Sequence, residues 1–186
     1  MLAVLLLVPL SACSGDDDEK PSGDGESTSA ASPEPGVATQ ATVGAVVGKL
    51  PADGRKRVAN RVARVVDDWW DRAYVRGEFP RASFSGAFEA FTPRAADRAR
   101  ADRNLLSNAG IGRRLTGVEA ITRRVVVDVL AVDQRPVAAT ARVTLLMKLE
   151  GKGLDRRDRI SGRVLLSVTN GAWRVFGYDL RRELVK

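Results

Sequence analysis

Val137-Ala138-Ala139-Thr140-Ala141-Arg142-Val143-Thr144-Leu145-Leu146-Met147-Lys148-Leu149 is apolar at every odd position, with Thr140, Arg142, Thr144 and Lys148 among the residues between. A period of two marks a strand with one dry face and one wet face, the kind found in antiparallel sheets. Just ahead of it, Asp133 to Pro136 reads as a turn and Ile121 to Val132 as a Val-dense strand. Beyond it, Gly151 to Arg157 reads as a loop rich in Gly and Arg. Ile160, Val164, Leu166 and Val168 then alternate with Arg159, Ser161, Arg163 and Ser167 in a third strand. Asn170-Gly171 is a two-residue hairpin signal. The last strand, Ala172 to Arg182, holds Trp173, Val175, Phe176, Tyr178 and Leu180, and its apolar parity shifts across Gly177, which implies a bulge or bend.

Upstream of Gly112 the period is helical. Val58, Val62, Val65, Val66, Trp69, Ala73 and Tyr74 keep one face at steps of three and four, which predicts a helix from Gly54 to Arg76, with Asp53 able to cap its start and Gly77 after its end. A second helix is expected from Pro93 to about Ser107, opened by Thr92-Pro93 and stopped at Asn108-Ala109-Gly110. Phe84, Phe88 and Phe91 lie between them in a short helix or aromatic-rich loop. Helices followed by a four-stranded antiparallel meander give an α+β class, with N-terminal helices packed on one face of a curved sheet.

This order, with Trp69 and Trp70 near the end of the opening helix and the closing hairpin Asn170-Gly171-Ala172-Trp173-Arg174-Val175-Phe176-Gly177-Tyr178-Asp179, resembles the NTF2-like (cystatin-like) superfamily over residues 54–182. The resemblance implies a cone of helices and sheet whose open end can be a pocket. Some members are isomerases, hydratases or cyclases; many are binding or assembly modules, and the fold commonly dimerises through its sheet. Enzymatic members set an Asp, often with a His or Tyr partner, at the bottom of the cone.

The N-terminal 40 residues read differently. Residues 1–12, MLAVLLLVPLSA, form an apolar run about half the ~20 residues needed to cross a bilayer, the size of a signal peptide's apolar region. The run ends in Leu10-Ser11-Ala12-Cys13, which resembles the lipobox of bacterial lipoproteins. That resemblance implies cleavage after Ala12, diacylglycerol and palmitate-type acyl chains on Cys13, and anchoring on the outer face of the bacterial cytoplasmic membrane. Two or more chains at about 0.8 kcal/mol per buried CH2 anchor stably. Residues 13–40 are rich in Ser, Gly, Pro and acidic side chains, so they are expected to be a disordered tether reaching roughly 30 Å from the surface. Asp16, Asp17, Asp18, Glu19, Asp24, Glu26 and Glu34 stand against Lys20 alone, a net charge of −6. The chain totals +7 from 30 basic and 23 acidic residues, which leaves +13 on the domain, residues 41–186.

The composition excludes whole classes of chemistry. There is no His, and the single Cys is Cys13, so no Ser/His/Asp or Cys/His catalysis, His or multi-Cys metal site, or intramolecular disulfide can be built. Gly110-Ile111-Gly112 and Gly151-Lys152-Gly153 lack the strand-to-helix context of a phosphate loop, and no cofactor is indicated. Nucleic-acid binding is disfavoured by the expected compartment and by the absence of a recognition motif.

An Asp/Tyr pair remains available for proton transfer, the weak catalytic candidates being Asp71, Asp128 and Asp179, with Asp67 and Asp68 beside Asp71. Trp69, Trp70, Tyr74, Trp173, Tyr178 and Asp179 are the candidate pocket residues, although an aromatic stripe at regular spacing is more often core. Adjacent Trp69 and Trp70 cannot face the same way, which would set one at the cone mouth or under a loop. Arg94, Arg98, Arg100 and Arg103, the pairs Arg113-Arg114 and Arg123-Arg124, and Arg156, Arg157 and Arg159 could hold anionic headgroups or wall polymers, or simply form solvated faces. The leading expectation is a non-catalytic module that binds an envelope protein partner or a small apolar ligand. The alternatives are an isomerase or hydratase with an Asp/Tyr site and a basic docking module for anionic envelope polymers.

Overall fold

The structure is a computed structural model that describes residues 36–186. The expectations placed on Ala12, Cys13 and the acidic segment lie outside the described residues. Within them the chain forms β1 (Gln40–Val47), α1 (Ala52–Trp70), a π turn (Asp71–Val75), a 3-10 turn (Ser85–Phe88), α2 (Pro93–Ala101) and α3 (Arg103–Leu106). Four long strands follow: β2 (Leu115–Val132), β3 (Arg135–Gly151), β4 (Leu154–Thr169) and β5 (Ala172–Val185).

The class is α+β, as the periodicities imply, but the sheet has five strands and is mixed rather than four-stranded and antiparallel. β1 lies parallel to β2 at one edge, with Gln40 opposite Arg124 and Val47 opposite Leu130, while β2 to β5 form the antiparallel meander. β1 escapes a sequence reading because Gln40-Ala41-Thr42-Val43-Gly44-Ala45-Val46-Val47 has small side chains and no clean alternation. Its strand state comes from pairing with β2 rather than from local preference.

The β3 alternation holds from Ala139 to Leu149, whose odd positions are buried; Val137, at the mouth of the hairpin, is exposed. The residues expected to form a loop from Gly151 to Arg157 are instead the end of β3, a tight turn at Lys152-Gly153 and the start of β4. The charged Asp158 occupies an inward position there and masks the alternation. At Asn170-Gly171 both residues have positive φ, 51° and 77°, which matches the right-handed strand twist. The expected bulge is present: Gly177 pairs with Leu165 and Val175 with Leu166, leaving Phe176 as the extra residue.

The helices also differ in detail. α1 is capped by Pro51 with no side-chain bond, so Asp53 sits in the first turn instead of closing it. The predicted second helix breaks at Asp102, whose backbone leaves the helical region, into α2 and α3. Thr92 precedes α2 but makes no side-chain cap; its N–H donates to Val175 O at 2.8 Å and ties the helix start to β5. The inward face of α1, including Val58, Val62, Val66 and Trp69, joins Val125, Val127, Val143, Leu145, Ile160 and Val164 of the sheet in one core. Each fully buried Val or Leu contributes about 1.5–3 kcal/mol.

Candidate functional site

The residues that the sequence nominates for a pocket are mostly interior packing. Trp69, Trp70 and Tyr74 are all at most 1% exposed, and Trp173 and Tyr178 are buried. Trp69 lies edge-on to Tyr74 at 5.7 Å and to Phe91 at 6.0 Å, and Phe91 in turn meets Phe88 at 5.3 Å. Trp69 Nε1 donates to Leu106 O at 3.2 Å and Tyr74 OH to Leu105 O at 2.6 Å, so the aromatic layer also clamps α3. Trp70 points to another part of the same core, its ring centroid 6.4 Å from that of Trp69, and its Nε1 has no hydrogen-bond partner. The adjacent tryptophans do face differently, yet both are buried in the core.

Tyr178 and Asp179 do not come together. The strand pleat sends Tyr178 inward, where its OH donates to Asp102 Oδ2 at 2.8 Å, and Asp179 outward to Arg163 at 2.7 Å. Asp128 is also on the outer side, accepting from Ala45 N–H at 2.8 Å and from Arg142 at 3.0 Å. Asp71 and Asp67, one helical turn apart, both face Arg123, whose guanidinium is nearly buried between them. Arg123 Nη1 lies 2.5 Å from Asp67, Nη2 bonds Asp71, and Asp71 also holds Arg76 at 2.8 Å. The register shift between Ala120 and Thr122 turns Arg123 inward. Asp68 stays on the exposed side of α1.

The most buried acidic residue described is Asp158, which the sequence did not nominate for a site. Asp158 is 1% exposed on the inward face of β4. Its Oδ2 accepts from Arg182 Nε at 2.7 Å and from Arg156 Nη2 at 3.1 Å, while Arg156 Nε lies 3.0 Å from Oδ1 without hydrogen-bond alignment. Arg182 carries the contact onward to Asn104 O, Ser107 O and Asn108 Oδ1 at 2.8–3.1 Å. Fully buried Asn108 donates in turn to Tyr74 O at 3.1 Å. The network fastens the end of the helical segment to the sheet. Its signal in the sequence is a charged residue at an inward position of an alternating strand.

Burial raises the pKa of the Tyr74 phenol, moderated by the charge of Arg182. For Tyr178 burial is again the first cause, followed by its bond to Asp102. A phenol whose folded pKa is raised keeps its proton where the unfolded chain would lose it. The stability it contributes is complete below the ordinary value of 10.0 and is lost as pH climbs above it. In an alkaline titration, phenolate absorbance is therefore expected to rise together with the loss of folded-state circular dichroism; phenolate appearing near its ordinary pH in a fully folded chain would contradict this burial.

Two surface features remain. An open groove of about 490 Å³ runs between α2 and the β5 bulge, bordered by Arg94, Arg98, Phe176 and Tyr178, with Arg98 stacked 4.9 Å from the Tyr178 ring centroid. At the other side of the sheet β1 pairs only with β2 among the described strands. Its exposed Val47 lies opposite exposed Leu130, and exposed Val132 and Val137 flank the neighbouring β2–β3 turn. This is an open strand edge beside an apolar rim, the arrangement that accepts an added strand or a partner surface. No family model matches the chain, and no curated protein matches it significantly.

Proposed function

We propose that this is a lipid-anchored protein of the bacterial cell envelope whose NTF2-like domain works by holding a protein partner rather than by catalysis. Anchoring rests on Leu10-Ser11-Ala12-Cys13 at the end of an apolar run. The NTF2-like reading rests on an amphipathic helix leading into four long antiparallel strands, with β1 as an added edge strand.

The observation that carries the non-catalytic reading is the filled interior. Trp69, Trp70 and Tyr74, the aromatic residues expected to line a pocket, are packed in the core instead. The Asp/Tyr alternative is less well supported, because Tyr178 and Asp179 diverge and Asp71, Asp128 and Asp179 each hold an arginine. A small apolar ligand held among Trp69, Trp70 and Tyr74 would likewise need space that the aromatic layer takes, and the open groove beside Phe176 and Tyr178 is bordered by the cationic Arg94 and Arg98. A partner finds the β1 edge and the rim of Val47, Leu130, Val132 and Val137 already exposed.

A photoactivatable side chain at Val47 is expected to crosslink one envelope protein in intact cells, while the same group at Arg163, on the outer sheet face, should not. In parallel, Cys13→Ser should remove the acyl mass and abolish processing after Ala12. Identical crosslinking from both positions, or an unacylated parent chain, would sink the corresponding half of the proposal.

A further inference from the structure

α1 carries its basic residues where a helix favours them least. Lys49 precedes it, Arg55, Lys56 and Arg57 lie in its first two turns, and Arg61 and Arg64 follow; all six are exposed. Asp53 is the one acidic residue between Lys49 and Val66, so this stretch carries +5. Asp67, Asp68 and Asp71 gather at the opposite end. The helix dipole puts positive potential at the N-terminus, so this distribution runs against it. Arg57, Arg61 and Arg64 also stack at steps of four and three, where like charges repel.

No close ion pair offsets that arrangement among the described residues. Arg123, Arg142, Arg163 and Arg182 each hold a carboxylate, whereas none of the six residues has one within 4.0 Å among the described residues. Arg55 reaches only a backbone carbonyl, Leu50 O, at 2.7 Å. The opposite side of α1 is buried in the core through Val58, Val62 and Val66, so the basic side can neither rotate inward nor insert into hydrocarbon. What remains is a basic ridge about 12 Å long from Lys56 to Arg64, suited to a broad anionic surface more than to a small anion.

The N-terminal segment joins the domain beside this ridge. Thr39 bonds the Asp67 carboxylate, and Thr39 and Ala41 share a shallow groove with Asn60, Ala63 and Arg64. The chain that leads back to Cys13 therefore leaves the domain on the side that bears the basic ridge.

We propose that the exposed face of α1, formed by Lys56, Arg57, Arg61 and Arg64 with Lys49 and Arg55 beside it, rests on the anionic phospholipid headgroups of the membrane to which the chain is attached. This deepens the anchoring reading above and rests on it for location. Each basic residue near an anionic surface multiplies the docked-to-undocked ratio about fivefold, and salt screens the effect.

The test uses the full acylated chain reconstituted into vesicles of phosphatidylcholine with or without phosphatidylglycerol, labelled with a polarity-sensitive fluorophore at Asn60→Cys, in the centre of the ridge. Emission is expected to brighten and shift to the blue in anionic vesicles alone, and to revert in about 1 M salt. Arg61→Gln should lower the docked-to-undocked ratio about fivefold. The fourfold variant Lys56→Glu/Arg57→Glu/Arg61→Glu/Arg64→Glu, checked for folding by circular dichroism, should abolish the shift. Equal emission in neutral and anionic vesicles would overturn the assignment. So would a shift that appears only after Asp16→Asn/Asp17→Asn/Asp18→Asn/Glu19→Gln, since the acidic N-terminal segment would then be the occupant. The intact mass reports acylation separately. Should Cys13 prove unmodified, the chain with Cys13→Ser and added vesicles still reads docking, so loss of the anchor and loss of the docking surface give different results.

Discussion

Asp158→Ala is expected to destabilise the domain by about 3–5 kcal/mol, because it strips the acceptor from a buried cation and leaves Arg182 uncompensated. Arg182 has only 15% of its side chain exposed, so water cannot replace the lost carboxylate. The carbonyls of Asn104 and Ser107 and the Asn108 amide oxygen still accept from it, but they are dipoles and do not balance its charge. Asp179→Ala is the control. Its side chain is 73% exposed in a pair with Arg163, so its loss should change stability by no more than about 0.5 kcal/mol. Urea denaturation midpoints compare the two directly, and equal, small shifts would show that the inward network does not hold the helical segment to the sheet. Asp158→Leu combined with Arg182→Met should recover much of the loss, since removing both ions removes the uncompensated charge.

Trp69→Ala and Trp70→Ala should each cost about 3–5 kcal/mol through the cavity they leave in the aromatic layer. For a domain of this size that corresponds to roughly 10 °C or more in Tm. The Phe substitutions separate the two positions. Trp69→Phe strands the Leu106 carbonyl and loosens α3, whereas Trp70→Phe removes an N–H that has no partner. Trp69→Phe is therefore expected to be the more destabilising by about 1 kcal/mol, the net worth of one hydrogen bond. Thermal unfolding followed by circular dichroism decides the order, and the reverse order would place the burden of packing on Trp70.

Both results bear on function. Were the Trp69 and Trp70 side chains to line a ligand site, truncation would enlarge a pocket with modest loss of stability. As core, they lose stability first. The surface then becomes the place to look for activity: the β1 edge with Val47 and Leu130 on one side, and the basic ridge of α1 on another.

Much of the scaffold is legible in the chain. The period of two from Ala139 to Leu149, the Asn170-Gly171 hairpin, the parity shift at Gly177 and the amphipathic spacing of Val58, Val62, Val66 and Trp69 are local signals, set by side-chain direction and turn geometry over a few residues. The absence of His excludes whole reaction classes by itself. The charge split between the acidic N-terminal segment and the basic domain is likewise plain in composition, and so is the polar half of α1 once the helix is drawn.

Tertiary structure alone decided the rest. β1 is a strand because β2 supplies its hydrogen-bond partners, which no property of Gln40–Val47 announces. The start of β4 is a strand although Asp155, Arg156, Arg157 and Asp158 read as loop, because Asp158 meets Arg182 from a strand and Arg156 from its own. Whether Trp69 and Trp70 line a pocket or fill a core depended on what packs against them, as α3 and Phe91 do against Trp69. Pleat direction separated Tyr178 from Asp179, and register gave Asp71, Asp128 and Asp179 their arginine partners. These outcomes depend on contacts between residues distant in sequence, whose energies exist only once the chain has brought them together.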